Sequence, residues 1–224
     1  LFNREIWMSK DIYHEEIDKL KNQVEEMGNL AATMLQDSVQ SLKFLDKENA
    51  NEIIEYKTKL SNFDSNIEEE SLRLIALHQP VASDMRTLGA ILKIITYLNR
   101  IGRYGKDIAV ITIEIGDSPH SSELVDIPLM ATKVNKMLKD ALHTLKTGDI
   151  SIIESMSERD TEIDEMRWDI FRECLEFMIE GKENIEKGAY YMMVVRYLER
   201  CADHVCKVCE KVHYMYTGER VEYK

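Results

Sequence analysis

The chain has 224 residues, enough for one long domain or two short ones. Its 29 basic against 41 acidic side chains give a formal charge of −12, which argues against a nucleic-acid binder, whose affinity rests on basic groups neutralising phosphates. Nine glycines and 3 prolines are too few for a sandwich or barrel that turns about every ten residues, while a 44% apolar content is ample for a core.

Six long helices are expected. Leu20, Val24, Met27, Leu30 and Met34 recur at three- and four-residue spacing and, with Val39 beyond them, mark the apolar face of the first. Asp46-Lys47 breaks it, and a second helix runs to His78, where Pro80 stops it by removing a donor and restricting the residue before it. Ser83 and Asp84 are the expected caps of a third helix. The most apolar stretch, Leu88 to Ile115, is interrupted by Lys93, Arg100, Arg103, Lys106 and Asp107, so it is not a membrane span. Gly116 to Pro119, with Pro128 soon after, is the one turn-rich segment and divides the chain into 1–117 and 118–224. Helix four is expected over about Leu129 to Leu145, followed by a turn at Gly148-Asp149. Helix five then reaches about Glu180, and the turn from Gly181 to Gly188 leads into helix six, which ends about Tyr216. The fold class is all-α.

Cys174, Cys201, Cys206 and Cys209 lie in the last quarter, the last three inside one helical pattern, which suits reduced thiols used as small core residues. Cys206-Lys-Val-Cys209 lacks the second pair of a zinc site. No basic-then-apolar leader opens the sequence, and the expected compartment is the cytoplasm. Twelve methionines and ten tyrosines leave room for an adaptable contact surface, such as a homodimer's, without fixing the oligomeric state.

The two halves resemble each other. Leu45-Asp46 matches Gly148-Asp149 at an offset of 103 (148 − 45), and Tyr97-Leu-Asn-Arg100 matches Tyr197-Leu-Glu-Arg200 at an offset of 100 (197 − 97). The expected architecture is therefore a tandem of two antiparallel three-helix bundles.

Helix five carries Asp160 and Asp164, and helix six carries Glu199 and Asp203, each pair four residues apart on one helix face. In an antiparallel hairpin facing residues share one residue-number sum, and Asp160 with Asp203 has the same sum as Asp164 with Glu199. Two stacked rungs of carboxylates are the expected result, beside the buried seam. Like charges there repel unless a cation neutralises them, either a hard metal ion with oxygen ligands (Mg, Mn, Fe or Ca) or ordinary Lys and Arg partners. In the first half the corresponding residues are Lys57, Ser61, Asn99 and Arg103, where two cations would repel a metal ion and no metal site is expected. His204 lies about 100° around the helix from Asp203 and reads as a partly exposed non-ligand.

Leu74-Ile-Ala-Leu-His-Gln-Pro-Val-Ala-Ser-Asp-Met-Arg86, followed by Tyr97-Leu-Asn-Arg-Ile-Gly102, resembles the first-repeat signature of the PhoU family. Tyr197-Leu-Glu-Arg-Cys-Ala-Asp-His204 resembles its second-repeat signature. The resemblance implies a non-catalytic cytoplasmic regulator of phosphate uptake that links the phosphate ABC transporter to a sensor histidine kinase. It also implies metal binding through acidic motifs, which fall here on Asp160, Asp164, Glu199 and Asp203. The first repeat departs from that motif. Two other readings stand beside it: a helical adaptor without metal, and a carboxylate-bridged metal oxidase, for which the chain offers a single Glu-x-x-His motif, Glu210-Lys-Val-His213, where two are needed.

Overall fold

The computed structural model describes residues 2–78, 80–116 and 126–223, with side chains from Tyr13 onward. It consists of six long helices and two short 3-10 turns: α1 (Phe2–Phe44), α2 (Lys47–His78), α3 (Ala82–Glu114), α4 (Asp126–Thr147), α5 (Met156–Glu180) and α6 (Ile185–Thr217). There is no strand among the described residues, and none of these helices is long and apolar enough to cross a membrane. The expected division between residues 117 and 118 meets a segment, 117–125, that lies outside the described residues.

Local chemistry sets most boundaries. Asp46 caps α2, its Oδ1 accepting from the Asn49 N–H at 3.0 Å, after Leu45 has reversed the chain with a φ of 56°. Ser83 and Asp84 do not cap α3 as expected. The N-cap is Val81, which makes no side-chain cap bond, and Ser83 Oγ turns instead toward Asp84 Oδ1 at 3.5 Å. The segment after Gly148 also departs from a simple helix. Asp149 accepts from the Ser151 N–H and holds a 3-10 turn, Ile150–Ile153, so α5 begins only at Met156. Gly218 closes α6 in the left-handed conformation, its N–H donating to the Tyr214 carbonyl.

Helices α1, α2 and α3 pack into one bundle and α4, α5 and α6 into the other, but the two share a core. Helix α3 lies along α6 and α1 along α4, so that Leu98, Ile101, Val205 and Val208 belong to one continuous apolar cluster. Each such side chain contributes about 1.5–3 kcal/mol when removed from water. Glycines allow close approach between helices, as two positions illustrate. A Cβ on Gly105 would stand 2.8 Å from the Met34 backbone, and one on Gly28 would strike Leu142.

The α3–α6 contact has internal symmetry. Tyr97 stacks on His204 at 5.8 Å, and Tyr104 stacks on Tyr197 at 5.4 Å. The offset that maps Tyr97 onto Tyr197 also maps Tyr104 onto His204, so each pair is the image of the other. Residue numbers rise along α3 as they fall along α6. The repeats are thus related by a pseudo-twofold axis through this aromatic layer, with the α2–α3 turn and the α5–α6 turn at opposite ends of it.

Candidate functional site

The acidic seam runs between α5 and α6. The Gly181–Asn184 turn that joins the two helices contains its own 3-10 turn, Lys182–Asn184. The Cys206 thiol hydrogen-bonds Asp160, and Arg167 lies 3.8 Å from Glu199, which also feels Asp164. Contacts therefore fall three residues beyond the expected rungs, nearly one helical turn. Asp203 comes to sit centrally. It acts electrostatically on Glu199 together with Asp164, and on Cys206 together with Asp160. The four carboxylates thus lie along one seam, with Asp160 and Glu199 buried, Asp203 half-buried and Asp164 exposed.

Arginines enter this seam as partners of Glu199, Arg196 from three residues earlier on α6 and Arg167 from α5. Arg196 Nη1 donates to Glu199 Oε1, and Arg167 reaches the same oxygen. Burial pushes the Glu199 carboxyl above its ordinary value; Arg196 pulls it down, Asp203 raises it, Arg167 lowers it and Asp164 raises it again. Glu199 Oε2 remains buried with no hydrogen-bond partner. A buried carboxylate oxygen without a donor fits a cation-binding set, because leaving it bare costs about 1–3 kcal/mol. As the side chains stand, no three His, Cys, Asp or Glu groups among the described residues are gathered closely enough to hold a metal ion.

Burial shields the thiols beside the seam. All four cysteines are buried and none forms a disulfide, and burial pushes Cys201, Cys206 and Cys209 up. For Cys206 the neighbouring Asp160 carboxylate adds to the rise.

In the first repeat Lys57, Ser61 and Arg103 are exposed on the corresponding surface, and Asn99 is half-buried. The same shift of register appears there. Asn99 hydrogen-bonds Asp64, the counterpart of Arg167, and burial raises the Asp64 carboxyl while that bond lowers it. The Arg167–Glu199 ion pair of one repeat is therefore an Asp64–Asn99 pair in the other, with the acid on the opposite helix. Asp64 was not among the expected residues, because pairing the helices about Pro80 set Asn99 against Ser61.

His204 is not partly exposed. It is 7% exposed, stacked between Tyr97 and Tyr104, with ring centroids 5.8 and 6.0 Å away, and its Nε2 has no partner. Burial, then Arg100, lowers it to about 4, against a smaller opposing effect of Asp203. The reason is the packing of α3 on α6, which no single helix pattern reveals. Glu210 of the Glu-x-x-His motif is likewise engaged, accepting from Lys207 Nζ at 2.8 Å and from the Tyr223 N–H at 3.4 Å.

These features define an all-α tandem-repeat protein with an acidic seam on its second repeat. Comparison with known proteins places it further. The profile of the PhoU domain matches twice, over residues 24–112 and 127–212. A phosphate-specific transport system accessory protein PhoU homolog of Clostridium acetobutylicum is 30% identical over 216 residues, covering 96% of this chain and 99% of the relative. A homolog of the same description from Deinococcus radiodurans is 36% identical over 157 residues, 70% of this chain and 74% of the relative. The crystal structure of PhoU from Pseudomonas aeruginosa superposes with a TM-score of 0.86 at 28% identity, over 92% of this chain and all of that one. The chain belongs to the PhoU family, whose curated members are phosphate transport accessory proteins.

Proposed function

We propose that this chain regulates phosphate uptake and phosphate-responsive signalling from the cytoplasm, through protein contacts with a phosphate ABC transporter and a sensor histidine kinase, and performs no catalytic step of its own. The observation that carries this reading is the double PhoU-domain match, one on each bundle. The relatives' description as accessory proteins of the phosphate-specific transport system supports the transporter as one partner.

Within the same reading, Asp160, Asp164, Glu199 and Asp203 hold a hard cation (Fe, Mn, Mg or Ca) on the second repeat. The bare, buried Glu199 Oε2 supports this. Asp164 and Asp203 would supply oxygen ligands by turning toward it, and the ion would supply positive charge to the seam. A second reading, an adaptor without metal, is favoured by Arg196 and Arg167, which already neutralise Glu199 from within the chain. Elemental analysis of the purified protein before and after chelation separates the two. Affinity capture from the native host tests the regulator itself. Recovery of the transporter's ATPase subunit or a histidine kinase is expected, and repeated capture of neither would refute it.

A further inference from the structure

A groove of about 980 Å³ lies at one end of the α3–α6 contact, formed by the first three turns of α3, the end of α6 and the tail after it. Its walls carry four cations, Arg86, Lys93, Lys211 and Arg220, against two acids, Glu210 and Glu222. In a chain of net charge −12 this is a local inversion of sign. Glu210 is already taken up by Lys207 at 2.8 Å and lies 4.0 Å from Lys211. Arg86, Lys93 and Arg220 form no ion pair among the described residues, and Arg86 Nε is buried without an acceptor. The two helix ends at the groove have opposite polarity and roughly offset each other, so the side chains decide the sign of the field.

The pseudo-twofold axis supplies an internal comparison. It maps Arg86 onto Glu186, Lys93 onto Met193, Lys211 onto Ile111 and Tyr214 onto Glu114. The equivalence is physical as well as numerical: Ala90 and Tyr214 line the groove together, and their counterparts Tyr190 and Glu114 hydrogen-bond each other. The far end has thus lost the three cations that the helices carry, with Glu186 and Glu114 in place of Arg86 and Tyr214, and Val110 in place of Glu210. Packing alone asks nothing of this kind, since the same helix pair closes at the other end without it.

We propose that the groove binds a small molecule carrying linked phosphate groups, a tripolyphosphate or nucleoside polyphosphate. Four cations spread over two helices and a tail suit several linked anionic groups better than one. The recessed Arg86 fork suits bidentate contact with a phosphate, whereas a folded acidic partner would need its cations to protrude. The volume sits at the upper end of the small-molecule range, and Met85, Ala90 and Val221 give it an apolar floor. This inference stands apart from the transporter and kinase reading, because it concerns binding by the isolated chain.

Calorimetric titration of the full chain with sodium tripolyphosphate and, separately, with ATP tests it, both without divalent metal. Saturable binding at a single site is expected, weakened about tenfold or more by Arg86→Ala and by Arg220→Ala, and unchanged by Lys182→Ala at the far end. Arg220 lies on the exposed tail, so its variant decides the matter should Arg86→Ala fold poorly. Tighter binding of ATP than of tripolyphosphate would assign the apolar floor to a nucleoside; equal binding would assign the groove to the phosphate chain alone. Absence of saturable binding by both probes up to about 1 mM, or equal weakening by Lys182→Ala and Arg220→Ala, would overturn the proposal.

Discussion

Replacing His204 by phenylalanine should flatten the acid limb of the stability curve. The folded imidazole sits at about 4, below its ordinary 6.5, because it is buried between Tyr97 and Tyr104 and faces Arg100. The unfolded chain therefore takes up a proton that the folded chain refuses. Stability is complete above about pH 6.5 and is lost as pH falls toward about 4, with a total loss of about 3 kcal/mol from this one group. Between pH 7 and pH 5 the share is about 2 kcal/mol. Phenylalanine keeps the ring stack and removes the bare Nε2, so at pH 7 its effect should be within about 1 kcal/mol of neutral. Urea denaturation followed by circular dichroism, with both proteins at both pH values, measures the difference directly. Carboxylate titration is common to both proteins and cancels. An equal loss of stability in the two proteins would refute the reasoning.

Other outcomes follow from the same structure. Asp164→Asn combined with Asp203→Asn should abolish metal retention while leaving the melting temperature within a few degrees, since removing two like charges relieves Glu199; unchanged metal content by elemental analysis would reject the site. Gly105→Ala should destabilise the protein by about 1–3 kcal/mol, because its Cβ would press on the Met34 backbone, whereas Gly89→Ala, with open space around it, should stabilise by roughly 0.5–1 kcal/mol in thermal melts. None of the four thiols should react with a thiol-exchange reagent in the native protein, and all four should react in urea; a fast native phase would contradict their burial.

The helices and the duplication were legible because both are written in local signals. Three- and four-residue apolar spacing gave α1, Pro80 placed the α2–α3 turn, and the matched Tyr97 and Tyr197 segments exposed the repeat. What escaped was set by contacts between helices. The fit of α6 against α5 brings Arg167 to Glu199 beside Asp164, a contact set between helices and not by spacing within either one. His204 looked half-exposed because its burial comes from α3, a hundred residues earlier in the chain. Arg86 stands inside the family signature, yet its groove forms only when α3 meets the end of α6 and the tail. The Asp149 turn was visible as a turn, but not as the 3-10 segment that delays α5 to Met156.

Phosphate uptake and the output of a phosphate-responsive reporter, measured in the native host with and without this chain, bear most directly on its role. The account predicts that loss of the chain alters both in phosphate-replete medium and that the wild-type chain restores them. Uptake and reporter output identical to the parent's, across replete and limiting phosphate, would contradict it.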